Sequence, residues 1–220
     1  MRIRLSLRAR LVRLVHLLQA GSAAAPRGPR RLPGRYFIRQ GYREREAPAY
    51  DFEHRSEDRV WQPDVYPTAA RIAERLGFTR IIDVGCGNGE KLVVLEPRFE
   101  IVGIDIGENL QLCRERYPGR QWIEHDLDSD ALLPFEPEVF RSSVVVCADV
   151  IEHLVRPERL VQKLRRACDE GACLVLSTPE RELLWGVRHA GPPPNPAHVR
   201  EWSMSELAAF LASEGSCTES

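Results

Sequence analysis

The residues best suited to chemistry begin in a glycine-rich turn. Gly85, Gly87 and Gly89 follow the apolar segment 81–84, and Asp83 stands two residues before the first glycine. Because glycine has no Cβ, the backbone can turn tightly and come into van der Waals contact with a ligand. A helix starting here would direct its free N–H groups and positive dipole at that ligand. The spacing differs from the dinucleotide fingerprint G-x-G-x-x-G, whose third glycine falls one residue later.

Acidic side chains stand at the ends of four successive predicted strands, namely Asp83, Asp105, Asp126 and Asp149. The carboxyl ends of parallel strands meet at one edge of a sheet, where ligands bind. An isolated carboxylate there would be poorly solvated, so fold alone does not explain four of them. Asp105 ends the second strand, 20 residues after Gly85, and a carboxylate can accept both hydrogen bonds of a ribose diol.

A second group of candidates is Asp149, Glu152, His153 and, further along, His198. Together they offer carboxylate and imidazole donors compatible with Mg²⁺, Mn²⁺ or Zn²⁺. Three interpretations remain open: a metal site, a metal-free base or hydrogen-bonding group at His153 or His198, and a structural role. In the structural interpretation, Glu152 caps the following helix and His198 braces the proline-rich loop 186–196. That loop is either a surface connector or a lid wall that presents His198.

These residues need a scaffold that brings strand ends together. From residue 80 onward, apolar runs and amphipathic segments alternate, which predicts a doubly wound, mostly parallel α/β sheet. The predicted strands are 80–84, 100–105, 121–124, 143–148 and 172–177. The predicted helices are 64–76, 88–95, 108–117, 155–169 and 203–213.

Several motifs resemble those of class I S-adenosylmethionine (SAM)-dependent methyltransferases. D-V-G-C-G-N-G at 83–89 is similar to their first motif, and W-I-E-H-D-L at 122–127 is similar to their third. D-V-I-E-H-L at 149–154 resembles a signature of the ubiquinone-biosynthesis O-methyltransferases. The H-x-x-x-W segment at 198–202 resembles one found in that group and in small-RNA 3′-terminal methyltransferases. The resemblance covers residues 64–213.

The resemblance implies a Rossmann-like fold, SAM as cofactor and methylation of a hydroxyl, which needs a base or a metal because its pKa lies far above 7. It implies that Glu152, His153 and His198 serve the acceptor, as catalytic residues or as ligands of a divalent metal such as Mg²⁺. Asp149 stands where the RNA enzymes carry a longer Glu. The implied cofactor contacts are Asp83, Gly85, Cys86, Gly87, Asp105, Ile106, Asp126, Leu127 and Asp149.

The end of the chain departs from the family pattern. The family sheet usually finishes with a β-hairpin after the last helix, whereas this sequence stops at Ser220. Either the C-terminal hairpin is absent or the chain is truncated before it, and in both cases we expect the last helix and the fifth strand to be poorly covered.

Composition fits one α/β domain with an arm: 220 residues, 43% of them hydrophobic, and a net charge of −1. The charge is uneven, because residues 1–45 hold twelve arginines and one acid, Glu44. Only two of the 31 basic residues are lysines, which suggests a bacterial source with a GC-rich genome. Six cysteines without a C-x-x-C motif predict reduced thiols in the cytoplasm. No apolar run approaches the ~20 residues of a membrane span.

The predicted organisation is a basic extension and linker at 1–35, a cap segment at 36–63 and a methyltransferase domain at 64–220. Residues 1–20 fit an amphipathic helix for a membrane surface or partner protein, a secretory signal, or a disordered arm. In 36–62, arginines among aromatic residues favour a cap over an active site, with nucleic-acid binding as the alternative.

Segments within 36–66 also resemble bacterial methyltransferases found with glycosyltransferases. We therefore predict O-methylation of a small molecule or glycan and expect no nucleic-acid partner. Two alternatives are a non-catalytic SAM-fold module that binds a partner, and an RNA methyltransferase.

Overall fold

A five-stranded parallel sheet forms the centre of the protein. The computed structural model describes residues 34–49 and 63–214. In spatial order the strands are β3, β2, β1, β4 and β5, and every neighbouring pair is parallel. The strands are β1 (Arg80–Val84), β2 (Glu100–Asp105), β3 (Gln121–Glu124), β4 (Ser143–Ala148) and β5 (Cys173–Ser177). This confirms the predicted doubly wound α/β fold.

Within residues 34–49 and 63–214, seven α-helices connect or flank the strands: α1 (Val65–Leu76), α2 (Glu90–Val93), α3 (Gly107–Arg116), α4 (Pro137–Phe140), α5 (Pro157–Asp169), α6 (Arg181–Trp185) and α7 (Met204–Glu214). The five predicted helices are present, although α2 is shorter than the predicted 88–95. The short helices α4 and α6 were not predicted, nor were the 3₁₀ turns Arg35–Phe37 and Ile151–His153. Elements of three to five residues are too short to show a hydrophobic period.

The sheet is buried on both faces because successive strand residues point to opposite sides. Ile81 and Val144 pack in one apolar cluster with the buried alanines of α1. Ile82 and Val145 pack in a second cluster, which contains the apolar faces of α5 and α7. The β-branched strand residues therefore fix both helical layers, and with them the edge at which all five strands end.

Strand order reverses beside β1. The chain passes from β1 to β2 on one side, while β4 joins β1 on the other side. Connections that leave two neighbouring strands in opposite directions open a crevice beyond their carboxyl ends. The turn after β1 and the residues after β4 form the two sides of this crevice.

Residues 34–49, which we call the N-terminal strap, pack on the loop 186–203 and on α7. Trp202 donates its indole N–H to the carbonyl of Tyr36 at 3.1 Å and stacks on Phe210 of α7. Arg45 N–H donates to the carbonyl of Val199 at 2.8 Å. Arg200 is buried and its guanidinium contacts Glu44 of the strap at 2.8 Å. The strap therefore fixes the loop that carries His198.

Several predicted features lie outside the described residues. These include the basic extension at 1–33, the second part of the cap segment at 50–62, Cys217 and the chain after Glu214. After β5, the only further β-pairing among the described residues is an isolated bridge between Glu180 and Trp202. None of the described helices combines the length and the hydropathy needed to cross a bilayer.

Candidate functional site

A cavity of about 690 Å³ lies at the carboxyl edge of the sheet, between the ends of β1 and β4. Its walls come from the segments that follow β1, β2, β3 and β4, and from the loop before α7. The lining residues are Gly85, Gly87, Asp105, Ile106, Gly107, Glu108, Asn109, His125, Asp126, Leu127, Asp128, Asp149, Val150, His153, Leu154 and Ala197. This is the crevice that the strand order predicts.

Two glycines of the turn are required for different reasons. Gly85 has φ +81°, and a Cβ there would lie 2.3 Å from Cγ2 of Val150. Gly87 has φ +56°, but a Cβ there would meet nothing within 4 Å. Gly85 is therefore needed for packing between the two sides of the crevice, whereas Gly87 keeps space open at the cavity wall.

Asp105 joins the end of β2 to the glycine turn. Its Oδ2 accepts the N–H of Gly87 at 2.7 Å, and its Oδ1 accepts the N–H of Ile106 at 2.8 Å. Asn109, one turn into α3, adds a longer bond at 3.4 Å. Burial raises the pKa of Asp105, and the two backbone bonds partly counteract this rise. Since each carboxylate oxygen has two lone pairs, the side chain keeps acceptor capacity toward the cavity.

Asp83 lies beneath the turn rather than at the cavity wall. It is fully buried, and its Oδ2 accepts the hydroxyl proton of Tyr66 at 2.7 Å. Its Oδ1 has no hydrogen-bond partner among the described residues. Burial raises the pKa of Asp83 to about 7, despite the hydrogen bond from Tyr66. Cys86, predicted beside it as a cofactor contact, is also buried and outside the cavity lining.

The segment after β3 forms the opposite wall. Asp126 is exposed at the cavity, and its Oδ1 accepts the N–H of Asp128 at 2.8 Å. The neighbouring Leu127 is buried and lines the same wall. Asp128 in turn accepts the N–H groups of Val155 and Arg156, which links this wall to the start of α5. An acid, an apolar side chain and backbone groups thus stand together, as the third motif predicts.

The backbone adopts an uncommon left-handed conformation where the chain leaves β4. Asp149 lines the cavity with φ +55°, a left-handed conformation in which only Asn and Asp are common among non-glycine residues. Its N–H donates to the carbonyl of Ser177 at 3.0 Å, which holds the exit against β5. Left-handed backbone at a cavity is a common mark of a functional site.

The 3₁₀ turn after β4 brings together the residues predicted to serve an acceptor. Glu152, His153 and His198 each offer a ligand atom, and these atoms lie within 4.8 Å of one another. Glu152 is fully buried; its Oε2 accepts from Thr178 at 2.8 Å, and its Oε1 has no hydrogen-bond partner in the described chain. Burial, and then the carboxylate of Asp149, raise the pKa of Glu152 well above its ordinary value.

The two imidazoles of this cluster are held in defined orientations. Nδ1 of His153 lies 3.0 Å from the carbonyl of Ala197, so Nδ1 carries the proton and Nε2 keeps its lone pair. Burial lowers the pKa of His153 to about 4, so the ring is neutral at neutral pH. The ring of His198 lies edge-on to it, with centroids 4.8 Å apart.

The contacts of Glu152 exclude the capping role that the structural interpretation gave it. The side chain of Glu152 does not cap α5, because its Oε2 accepts from Thr178, whereas the N–H of Arg156 at the start of α5 is accepted by Asp128. The proline-rich loop contributes Ala197 to the cavity wall, while His198 is buried behind it.

Most of the predicted site residues line the cavity. Those that do are Gly85, Gly87, Asp105, Ile106, Asp126, Leu127, Asp149 and His153, whereas Asp83, Cys86, Glu152 and His198 lie behind its walls. Sequence reasoning missed Thr178 behind the wall and eight residues at the wall itself, namely Gly107, Glu108, Asn109, His125, Asp128, Val150, Leu154 and Ala197. Asn109 lies at the start of the predicted helix 108–117, directly beyond the strand end at Asp105, and that position could have indicated it.

Comparison with known proteins gives a consistent family. A family model described as a methyltransferase domain matches residues 31–215. A probable SAM-dependent methyltransferase of Mycolicibacterium smegmatis is 31% identical over 147 residues, covering 66% of this chain and 54% of that protein. A ubiquinone biosynthesis O-methyltransferase of Methylococcus capsulatus is 30% identical over 142 residues, covering 57% of this chain and 58% of that protein. The chain thus spans about half the length of these curated relatives.

Solved structures agree on the fold. The YcgJ protein of Bacillus subtilis is 20% identical, with a TM-score of 0.52, covering 68% of this chain and 67% of that one. The methyltransferase domain of a bacterial CtHen1 is also 20% identical, with a TM-score of 0.50, covering 68% of this chain and 81% of that one. At this identity the likeness concerns the fold alone.

The two glycines give a matched pair of substitutions. Gly85→Ala should cost more than about 2 kcal/mol of unfolding free energy, because a left-handed alanine and a displaced Val150 add their costs. Gly87→Ala should cost only about 1 kcal/mol, since its Cβ meets open space, yet should weaken binding of an adenosine-containing ligand at least tenfold. Urea unfolding and calorimetric titration with the demethylated product of SAM measure the two effects. Equal destabilisation by both substitutions would contradict this account of the turn.

The raised pKa of Asp83 predicts that the stability of the folded protein depends on pH. Its pKa of about 7 in the folded state exceeds the unfolded value near 3.8. The folded protein therefore holds a proton that the unfolded chain has lost, and this contribution to stability is complete below pH 3.8 and lost as pH rises through 7. Asp83→Asn removes this linkage, so the stability gap between variant and wild type should shift in the variant's favour by on the order of 1–4 kcal/mol between pH 4.5 and 8. A gap that stays constant in urea titrations across this range would show that Asp83 is ionised throughout.

Proposed function

The chain belongs to the methyltransferase-domain family of class I SAM-dependent methyltransferases, and we propose that it transfers a methyl group from SAM to a hydroxyl oxygen of a small molecule or glycan. The observation that carries this proposal is the cavity at the strand-order reversal. It joins a glycine turn, a carboxylate after β2 and an acid-and-leucine wall after β3 at one end to an imidazole at the other.

The described residues fit SAM. Gly87 leaves open space at the wall, so its backbone can approach the ligand closely. Asp105 has acceptor capacity for the ribose hydroxyls, Asp126 could accept from the adenine amino group, and Leu127 would offer its backbone N–H to the ring. When bound, SAM supplies an electrophilic methyl group on a positively charged sulfur.

Asp83 and Cys86 have an indirect role in this proposal. Both lie beneath the glycine turn, so Asp83 acts on the cofactor through the shape and charge of the turn. Asp149 lines the same cavity, where its carboxylate would favour the positively charged sulfur of the methyl donor.

The acceptor end fits a hydroxyl. His153 lines the cavity as a neutral imidazole with its lone pair on Nε2, so it can accept a hydrogen bond from a hydroxyl and orient it. The imidazole ring is held by Ala197, which restricts its rotation. The relatives that include a ubiquinone biosynthesis O-methyltransferase support oxygen as the methylated atom.

The cluster of Glu152, His153 and His198 also fits a divalent cation, and we propose that these three residues hold one. A fully buried carboxylate oxygen without a hydrogen-bond partner, beside two imidazoles, is the arrangement that a metal ion would satisfy. Two imidazole donors favour Mn²⁺ or Zn²⁺ over Mg²⁺, which prefers oxygen ligands. Such an ion would lower the pKa of a hydroxyl bound to it.

The charge of the cavity favours an uncharged acceptor. Five lining residues are acidic, namely Asp105, Glu108, Asp126, Asp128 and Asp149, and the described lining contains no lysine or arginine. Phosphate-rich acceptors would be repelled by these carboxylates, which supports a polyol or phenol over nucleic acid. We propose that residues 1–20 supply any contact with a membrane surface or partner protein, and that the enzyme acts in the cytoplasm.

Methyl transfer from labelled SAM to a panel of phenols, polyols and glycans tests the proposed activity. Wild-type protein should label at least one hydroxyl acceptor, and Asp105→Ala should lower kcat/KM at least tenfold by removing the ribose contact. Asp130→Ala is the matched control, because Asp130 is an exposed acid outside the cavity that pairs with Arg159. Protein that binds neither SAM nor its demethylated product at micromolar concentration would refute the enzyme assignment. Binding without transfer would favour the non-catalytic module.

The metal proposal has a separate test. Metal analysis of purified protein should find a transition metal near one equivalent, and Glu152→Gln should retain less than a tenth of it. A chelator should abolish transfer, and Mn²⁺ or Zn²⁺ should restore it. Metal-free protein with full transfer activity would leave His153 as a metal-free hydrogen-bonding group.

A further inference from the structure

Glu201 has no place among the predicted site residues, yet it is one of the most buried acids in the protein. It is 1% exposed and lies three residues after His198, in the loop before α7. Its Oε1 lies 2.6 Å from Nδ1 of His198. Its Oε2 accepts the indole N–H of Trp185 at 2.6 Å. Both oxygens are therefore occupied, and one of them holds the imidazole.

The other nitrogen of His198 is held from the opposite side. Nε2 lies 3.0 Å from the amide nitrogen of Asn195. The oxygen and the nitrogen of this amide can be told apart, because Oδ1 of Asn195 accepts the N–H of Ala197 at 3.0 Å. An amide NH₂ can only donate, so Nε2 must accept and cannot carry a proton. The carboxylate at Nδ1 and the amide at Nε2 thus specify the same tautomer.

We propose that Glu201 is a positioning residue that fixes His198 as the Nδ1–H tautomer and keeps the lone pair on Nε2 for the reaction site. The proposal rests on the proposed function, in which His198 serves the acceptor or a cation. Carboxylate bonded to the far nitrogen of an imidazole is a common way to orient that ring and raise its strength as a donor.

The surroundings of Glu201 keep its carboxylate in place. Its backbone N–H donates to the hydroxyl of Tyr42 at 3.1 Å, and its carbonyl accepts from the buried Arg181 at 3.0 Å. Arg181 is paired in turn with Glu206 of α7. The position of the carboxylate is therefore set by the strap, by α6 and by α7 together.

Asn195 is the hydrogen-bond partner of His198 Nε2 in the absence of a ligand. Its side chain is in an exposed residue, so the amide can turn away when a cation or an acceptor approaches Nε2. His198 would then present its lone pair without changing its tautomer, because the bond to Glu201 is unaffected. The ring is ready for either ligand before one arrives.

Glu201→Gln is the discriminating substitution. Gln is nearly isosteric, but only one of its two terminal atoms is an acceptor; because Trp185 and His198 bond to different oxygens of Glu201, one of these donors must face the NH₂ group. Long-range ¹H–¹⁵N correlation spectra of metal-free protein report which nitrogen of His198 is protonated, with His198→Gln identifying the signals. Wild-type protein should show Nδ1–H alone, and Glu201→Gln should show a majority or a mixture of Nε2–H.

Trp185→Phe is the matched control, because it removes the bond to Oε2 and leaves Oε1 beside His198; it should retain Nδ1–H. Should Glu201→Gln fail to fold, Glu201→Asp replaces it, since the shorter carboxylate withdraws from Nδ1 and should also yield a mixture. An unchanged Nδ1–H tautomer in the folded Glu201 variant overturns the proposal and assigns Glu201 a structural role.

Transfer kinetics separate this inference from the proposed function. With an active acceptor, Glu201→Gln should lower kcat at least tenfold and leave the affinity for SAM within about twofold of wild type. A protein that transfers no methyl group but shows the expected tautomer change refutes the proposed activity and leaves the role of Glu201 intact. A kcat within twofold of wild type, alongside a changed tautomer, would refute the catalytic importance of that tautomer.

Discussion

The reversal of strand order beside β1 is the constraint on which the rest of the molecule depends. Because β2 and β4 flank β1 and their connections leave in opposite directions, a crevice opens beyond the ends of these strands. Gly85 allows the two sides to approach until Val150 lies against the turn. The same reversal brings the chain after β4, with Asp149 and the 3₁₀ turn, within reach of the turn after β1. One topological feature thus sets both ends of the cavity.

Negative charge is concentrated at this edge of the sheet. Asp83, Asp105 and Asp149 lie around the glycine turn, and burial raises the pKa of the first two. Burying such carboxylates is unfavourable unless hydrogen bonds or an opposite charge compensate. The described bonds compensate in part, through Tyr66 and the turn N–H groups. A cationic ligand would complete the compensation, so the arrangement favours a sulfonium donor over an anionic nucleotide.

The sheet was predictable because its strands are continuous apolar runs. The glycine turn after β1 was predictable because its motif consists of residues adjacent in the sequence. Each predicted strand lies within about one residue of its observed bounds. The D-V-G-C-G-N-G turn indicated Gly85 and Gly87, and the end of the second predicted strand indicated Asp105. The sequence could not show how deeply each of these side chains is buried. Asp83 and Cys86 belong to the motif, but their side chains point under the turn. Thr178 comes from a distant segment, and only tertiary packing places it beside Glu152. Glu201 lies three residues after His198, but the fold of the loop, which brings its carboxylate to Nδ1 of that ring, was not predictable from the spacing.

Arg200 has a consequence for how the molecule opens. Its guanidinium is 2% exposed, bonded to the carbonyls of Leu154 and Val155, paired with Glu44 and stacked over Tyr36. Detaching residues 34–49 would leave this dehydrated cation without its counterion, which is costly. The strap, the segment after β4 and the loop to α7 should therefore exchange their amide protons in a single cooperative event. Any opening of the site that released the strap would carry the cost of this unpaired cation.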